Sequence, residues 1–239
     1  MPRPPELSAR AVALKSSLTL AIGAQAKALQ RAGRDICSLS AGEPDFDTPD
    51  FIVEATRQAL RDGITRYGPA AGDPELRAAV AEKLSSGNGI ATSPEQVLIT
   101  NGGKQAIYNL FQVLLNPGDE VLLPAPYWLS YPEMAALADA EVKLIPSQAE
   151  EGFRLDLDAL EAAISPRSRL LVLNTPGNPT GRVMPRQELE AVAELVRRHP
   201  QLLVMSDEIY EFLLAEGEQH HSFAAVSYTH LTLPTMYTV

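Results

Sequence analysis

The sequence predicts an α/β fold, a three-layer α-β-α sandwich around a mainly parallel, mixed sheet. Two observations carry that expectation. Short apolar runs recur at 120–123, 142–145, 170–173 and 202–205, and a segment of helical periodicity separates each from the next. Runs that are apolar throughout belong to strands covered on both faces by helices, the usual setting of a parallel sheet.

The elements follow in order. An arm containing Ala11 to Gln30 opens the chain. Residues 51–61 place Phe51, Ile52, Ala55, Ala59 and Leu60 at helical spacing, and Gly63 stops the helix. Residues 74–84 read as a second helix, closed by Gly87. Val97-Leu98-Ile99-Thr100 is expected to be a strand that turns at Asn101-Gly102-Gly103 into a helix over 105–115. Asn116-Pro117-Gly118-Asp119 breaks that helix. Helices over 131–138, 157–164 and 187–198 then alternate with the four apolar runs.

Composition excludes several function classes. The chain has 239 residues, with 20 Lys and Arg against 30 Asp and Glu, a formal net charge of −10. A nucleic-acid binder carries a basic footprint, so that class is set aside. Hydrophobic and charged fractions of 45% and 21% are those of a globular chain, not a disordered one. No apolar run approaches the ~20 residues of a membrane span. Met1-Pro2-Arg3-Pro4-Pro5 opens no apolar signal segment. Cys37 stands alone, which excludes an internal disulfide and fits a reducing compartment. The expectation is an acidic, soluble, cytoplasmic protein, with no metal-ligand set assigned.

Ligands of such sheets sit beyond the carboxyl ends of the strands, so the polar clusters just after the strands matter most. Asn101-Gly102-Gly103-Lys104 stands at a strand-to-helix turn, where glycines let backbone amides approach an anion and the helix dipole favours it. Asn174-Thr175-Pro176-Gly177-Asn178-Pro179-Thr180-Gly181 fixes an unusual backbone path and offers the Asn178 amide. Ser206-Asp207-Glu208-Ile209-Tyr210 puts an acid at the end of a buried strand, where ionisation is costly without a cation or donor, and a phenol three residues on. Taken singly, these have plainer readings: a tight-turn glycine pair, a rigid loop and a solvated aspartate. Together they describe the site of a phosphorylated aromatic ring with a protonated nitrogen and a phenolic oxygen. Pyridoxal phosphate is that ligand.

The sequence resembles the class I/II pyridoxal-phosphate aminotransferases of fold type I, in the aspartate aminotransferase group, over residues 7–226. The marks are Ala41-Gly42-Glu43-Pro44-Asp45-Phe46-Asp47-Thr48-Pro49, Tyr67-Gly68, Gly102-Gly103-Lys104-Gln105-Ala106, Pro126-Tyr127-Trp128, Asn178-Pro179-Thr180-Gly181 and Asp207-Glu208-Ile209-Tyr210. The resemblance implies roles for each. Gly42 would meet the amino-acid substrate through its backbone. Tyr67 would reach the cofactor phosphate of a neighbouring subunit, implying a homodimer. Gly102, Gly103 and Lys104 would hold the phosphate at the start of a helix, and Trp128 would stack on the cofactor ring. Asn178 and Tyr210 would bond the phenolic oxygen, and Asp207 would pair with the ring nitrogen and keep it protonated. Gly42, Lys104, Trp128 and Asn178 would also meet the substrate. Lys104 has two readings, a cation for an acidic substrate's side-chain carboxylate or a phosphate-side, solvated lysine.

One departure bears on activity. The family needs a lysine beyond the Asp-Glu-Ile-Tyr motif to form a Schiff base with the cofactor and move the α-proton. The lysines are Lys15, Lys27, Lys83, Lys104 and Lys143, and none follows Tyr210. No catalytic residue is therefore assigned, and the chain as given is expected to be inactive. The family's Ser-x-x-Lys signature, its later carboxylate-binding arginine and most of its small domain are also missing. Residues 227–239 carry no Asp, Glu, Lys or Arg and no helical period, and resemble translated sequencing-adapter read-through. The expected organisation is an N-terminal arm with part of a small domain over 1–45, a truncated cofactor-binding large domain over 46–226, and a non-native tail over 227–239. The expected function is that of an N-terminal fragment of an enzyme moving an amino group between aspartate and a 2-oxo acid such as 2-oxoglutarate. Prephenate is a further acceptor to consider. The alternatives are a catalytically empty fragment and a pyridoxal-phosphate-binding regulator.

Overall fold

The computed structural model describes residues 7–14, 18–39, 42 and 46–226. The expected tail over 227–239 lies outside the described residues, as do 41 and 43–45 of the first motif. The chain divides into two units, Met1–Gly68 and Pro69–Val239.

The first unit contains α1 (Ala9–Ala13), α2 (Leu18–Arg31) and α3 (Asp50–Arg61), so the opening arm is largely helical. The Ser8 hydroxyl accepts a bond from the Ala11 amide and starts α1. Asp50 in the first turn of α3 and Arg61 in its last suit the helix dipole.

The second unit begins with α4 (Pro74–Gly87), capped by Asp73, whose carboxylate accepts the amides of Glu75 at 2.9 Å and Leu76 at 3.1 Å. Then follow α5 (Gly103–Leu114), β1 (Glu120–Pro124), α6 (Ser130–Leu137), β2 (Glu141–Ile145), α7 (Leu157–Ala163), β3 (Ser168–Asn174), α8 (Arg186–Arg197), β4 (Leu203–Asp207) and α9 (Phe223–Val226). The four strands form one sheet in the order β2-β1-β3-β4, parallel at every described pair.

Strand alternation sorts the core into two faces. Leu122, Ile145, Leu171, Leu173 and Val204 pack with Leu160 of α7 and with Leu189, Val192 and Val196 of α8. Val121, Leu123, Leu170, Val172 and Met205 pack on the other face with Ile107, Leu110 and Phe111 of α5 and with Tyr131 and Met134 of α6. Helices on both faces give the three layers the sequence predicts. No helix among the described residues is long and apolar enough to cross a membrane.

One expected strand does not form. Val97-Leu98-Ile99-Thr100 is extended but joins no ladder among the described residues. Its backbone groups are taken elsewhere: the Ile99 amide donates to Ala71 O at 3.0 Å, and Arg77 Nε donates to Val97 O at 2.9 Å. The contact with 71–72 is close enough that a Cβ on Gly72, at φ +103°, would lie 2.5 Å from Ile99 Cγ1.

Candidate functional site

The carboxyl ends of β3 and β4 lie side by side, with Asn174 opposite Asp207 in the register. From these ends, and from the starts of α5 and α6, a cavity of about 280 Å³ opens within the second unit. Gly102, Gly103, Lys104, Trp128, Asn178, Asp207 and Tyr210 all line it. Seven residues from four separate stretches of sequence therefore meet at one place.

The anion-binding end is the start of α5. Gly102 is its N-cap at φ +78°, a conformation that a residue with a side chain rarely adopts, and no atom lies within 4 Å of where its Cβ would stand. Gln105 Oε1 accepts the Asn101 amide at 2.6 Å and holds the turn. The helix starts at Gly103, two residues before the position that periodicity marks, because glycine supplies the cap. Gly103 and Lys104 thus belong to the first turn, and their two amides have no acceptor within the helix.

The acid end is Asp207. Tyr131 donates its hydroxyl to Asp207 Oδ2 at 2.7 Å, and the Ile209 amide reaches Oδ1 at 3.3 Å. Burial pushes the Asp207 carboxyl above its ordinary value, and the nearby Glu208 charge adds to this; the Tyr131 and Ile209 bonds pull the other way. Burial and the Asp207 charge likewise raise the Tyr131 phenol, which stays protonated as a donor. A carboxylate held this way gains most from a cation brought into the cavity.

Asn174 ties the two loops together. Its Nδ2 donates to Asp207 O at 3.0 Å, and its Oδ1 accepts the Asn178 amide at 2.8 Å. Asn178 Nδ2 stands 3.4 Å from the Tyr210 hydroxyl, a long contact that leaves both groups able to meet one acceptor between them. Trp128 forms a wall. Its ring meets Tyr131 edge-on at 5.3 Å and 85°, and Lys104 Nζ lies 5.0 Å from its centroid.

Gly42 and Tyr67 belong to the first unit, where both are exposed. Tyr131 and Asn174 line the cavity and are absent from the sequence-based site. Tyr131 reads as core at the head of an apolar helix, and its sole signal is its place three residues after Trp128. Asn174 stands at the strand end opposite the acid, a pairing visible only once the register is known.

Residues 34–236 match the family described as aminotransferase class I and II. The chain belongs to that family. It is 52% identical over 220 residues to a bifunctional aspartate aminotransferase and glutamate/aspartate-prephenate aminotransferase of Petunia hybrida, covering 92% of this chain and 46% of that protein. An aspartate/prephenate aminotransferase of Thermus thermophilus is 51% identical over 224 residues, 94% of this chain and 58% of its own length. The solved structure of aspartate aminotransferase from Thermus thermophilus with maleate superposes with a TM-score of 0.90 at 50% identity, over 94% of this chain and 58% of that one. The chain spans about half the length of the curated relatives it matches.

Aminotransferases of this family use pyridoxal phosphate, and the residues present fit it. The cap glycine and first-turn amides of α5 suit a phosphate, and the Trp128 face suits an aromatic ring. Asp207 has no cation among its hydrogen-bond partners in the described residues and suits a protonated ring nitrogen.

Proposed function

We propose that this chain is the cofactor-binding portion of an aspartate/prephenate-type aminotransferase, which moves an amino group between aspartate and a 2-oxo acid. The carrying observation is the half-buried Asp207 carboxyl, set in one cavity with an aromatic wall, two convergent donors and a helix N-terminus. The cofactor supplies an electron sink for the substrate's α-carbon. The protein's residues bind and orient. Asp207 would pair with the ring nitrogen and keep it protonated, with Tyr131 fixing the carboxylate. Asn178 and Tyr210 would meet the phenolic oxygen, and Gly102, Gly103 and Lys104 would receive the phosphate.

Acidic substrates are supported by Lys104 on the cavity wall and by the maleate, a dicarboxylate, of the Thermus thermophilus structure. Gly42 is assigned to the substrate and Tyr67 to a second subunit's phosphate, which makes the whole protein a homodimer. The acidic composition and the lone Cys37 support a cytoplasmic location. Residues 1–45 are taken as an N-terminal arm with part of a small domain, 46–226 as a truncated cofactor-binding large domain and 227–239 as a non-native tail.

No lysine among the described residues is assigned as the proton shuttle: only Lys104 of them lines the cavity, Lys143 is paired with Glu120 at 2.9 Å and Lys83 with Glu211, while Lys15 lies outside the described residues. Lys104 is assigned to anion binding beside Gly102 and Gly103. Binding without turnover is the expected behaviour. Pyridoxamine phosphate should quench the fluorescence of Trp128, the sole tryptophan. No oxaloacetate should form from aspartate and 2-oxoglutarate. Turnover, or no saturable quenching, overturns the proposal.

A further inference from the structure

Next to the site acid stands a second acid that no binding role uses. Glu208 is 1% exposed, and its side chain meets four donors. Oε1 accepts the Ser206 hydroxyl at 2.6 Å, the Ser222 hydroxyl at 3.0 Å and the Phe223 amide at 3.1 Å. Oε2 faces His220 Nε2 at 3.1 Å, and His220 Nδ1 has no hydrogen-bond partner among the described residues. All four partners lie outside the cavity lining.

The arrangement has a direction. Asp207 turns towards Tyr131, which packs on the sheet face covered by α5 and α6. Glu208 turns the other way, to the start of α9, where the fully buried Phe223 packs with α8 on the opposite face. Successive residues at a strand end point to opposite faces, so a clamp on one fixes the heading of the other. The chain on the far side is pinned as well, since Glu211 pairs with Lys83 and accepts Asn88 Nδ2 at 2.7 Å.

We propose that Glu208 is a positioning residue: by binding Ser206, His220, Ser222 and the Phe223 amide behind the sheet, it holds Asp207 and Tyr210 at the cavity. Its role is geometric rather than electrostatic. A glutamine retains a carbonyl oxygen for the three Oε1 donors, and its amide donates to His220 Nε2 once the neutral imidazole carries its proton on Nδ1 instead, so it preserves the clamp. An alanine leaves those buried groups without their acceptor. The inference rests on the cofactor-binding reading only for its second readout.

Trp128 reports on the cavity without any ligand, through its contact with Tyr131 and, beyond it, Asp207. The test compares the 239-residue chain with Glu208→Ala, Glu208→Gln and Ser222→Ala, each verified as folded by circular dichroism. In Glu208→Ala the acrylamide quenching constant of Trp128 should rise about threefold and the Kd for pyridoxamine phosphate by about tenfold, while Glu208→Gln stays within about 1.3-fold on both. Ser222→Ala, which removes one donor, should move both measures in the same direction by about twofold, and it decides the matter if Glu208→Ala does not fold. Folded alanine variants with unchanged quenching and affinity would overturn the role, and so would a Glu208→Gln as impaired as Glu208→Ala. If the unmodified chain fails to bind pyridoxamine phosphate, the cofactor reading fails while the ligand-free quenching comparison still decides the role of Glu208.

Discussion

Asp207 works against folding in the empty chain and for binding once a cation arrives. Its carboxyl sits above the ordinary value of 3.8, so the folded state holds the proton more tightly than the unfolded one. Stability therefore falls as pH rises from 3.8 through the raised value, and the penalty is complete above it. Asp207→Asn keeps an acceptor for the Tyr131 hydroxyl and removes the half-buried charge. At pH 8 it should raise the melting midpoint of the ligand-free chain by roughly 2–4 °C, the equivalent of ~1 kcal/mol at this size. A lower midpoint in differential scanning fluorimetry would contradict the burial argument. Gly72 gives the converse case. With φ at +103° and Ile99 Cγ1 2.5 Å from any added Cβ, Gly72→Ala should cost about 2–3 kcal/mol in urea denaturation, where a neutral effect would mean the contact is loose. Asp207, Asn178 and Tyr210 were legible in the sequence because each follows an apolar run. Tyr131 was not, since burial hides the one polar atom of a core residue.

The alternation of apolar runs and helical periods predicts each strand and its covering helix to within three residues, because the two-sided burial of a parallel strand is written in its own composition. The segment at 97–100 has the same composition and no ladder. A ladder needs a partner, and partner choice is a property of the whole chain. Glu120 shows what holds the far end of the sheet. Fully buried at the start of β1, it accepts the Ser165 and Ser168 hydroxyls at 2.6 and 2.9 Å and pairs with Lys143 of β2 and with Arg167. Burial alone would raise its carboxyl, but those bonds and the Lys143 charge outweigh it and hold the value at about 2. A depressed acid stabilises the fold fully above its unfolded value of 4.5, and the contribution is lost as pH falls towards about 2. Between those limits the chain should lose stability with acid, and Glu120→Gln should flatten that part of the profile. An unchanged slope in the variant would assign the acid sensitivity elsewhere.

At the scale of the molecule, the two faces of one sheet divide the labour. The α7–α8 face is apolar core, completed at α9 by the Glu208 clamp, and the α5–α6 face opens at its carboxyl end into the cavity. Within the second unit Leu98, Val113, Phe212 and Leu213 stand exposed. Apolar side chains left in water favour self-association, so sedimentation velocity of the purified chain should show concentration-dependent assembly; a strict monomer would contradict this. The most direct test of the cavity's purpose is a titration of the chain with pyridoxamine phosphate at pH 8, followed by Trp128 fluorescence, beside Asp207→Asn. The expected result is saturable quenching in the parent and an affinity lower by about tenfold or more in the variant. Equal affinities, or no saturable quenching in either, would mean that the cavity does not hold the ring nitrogen against Asp207.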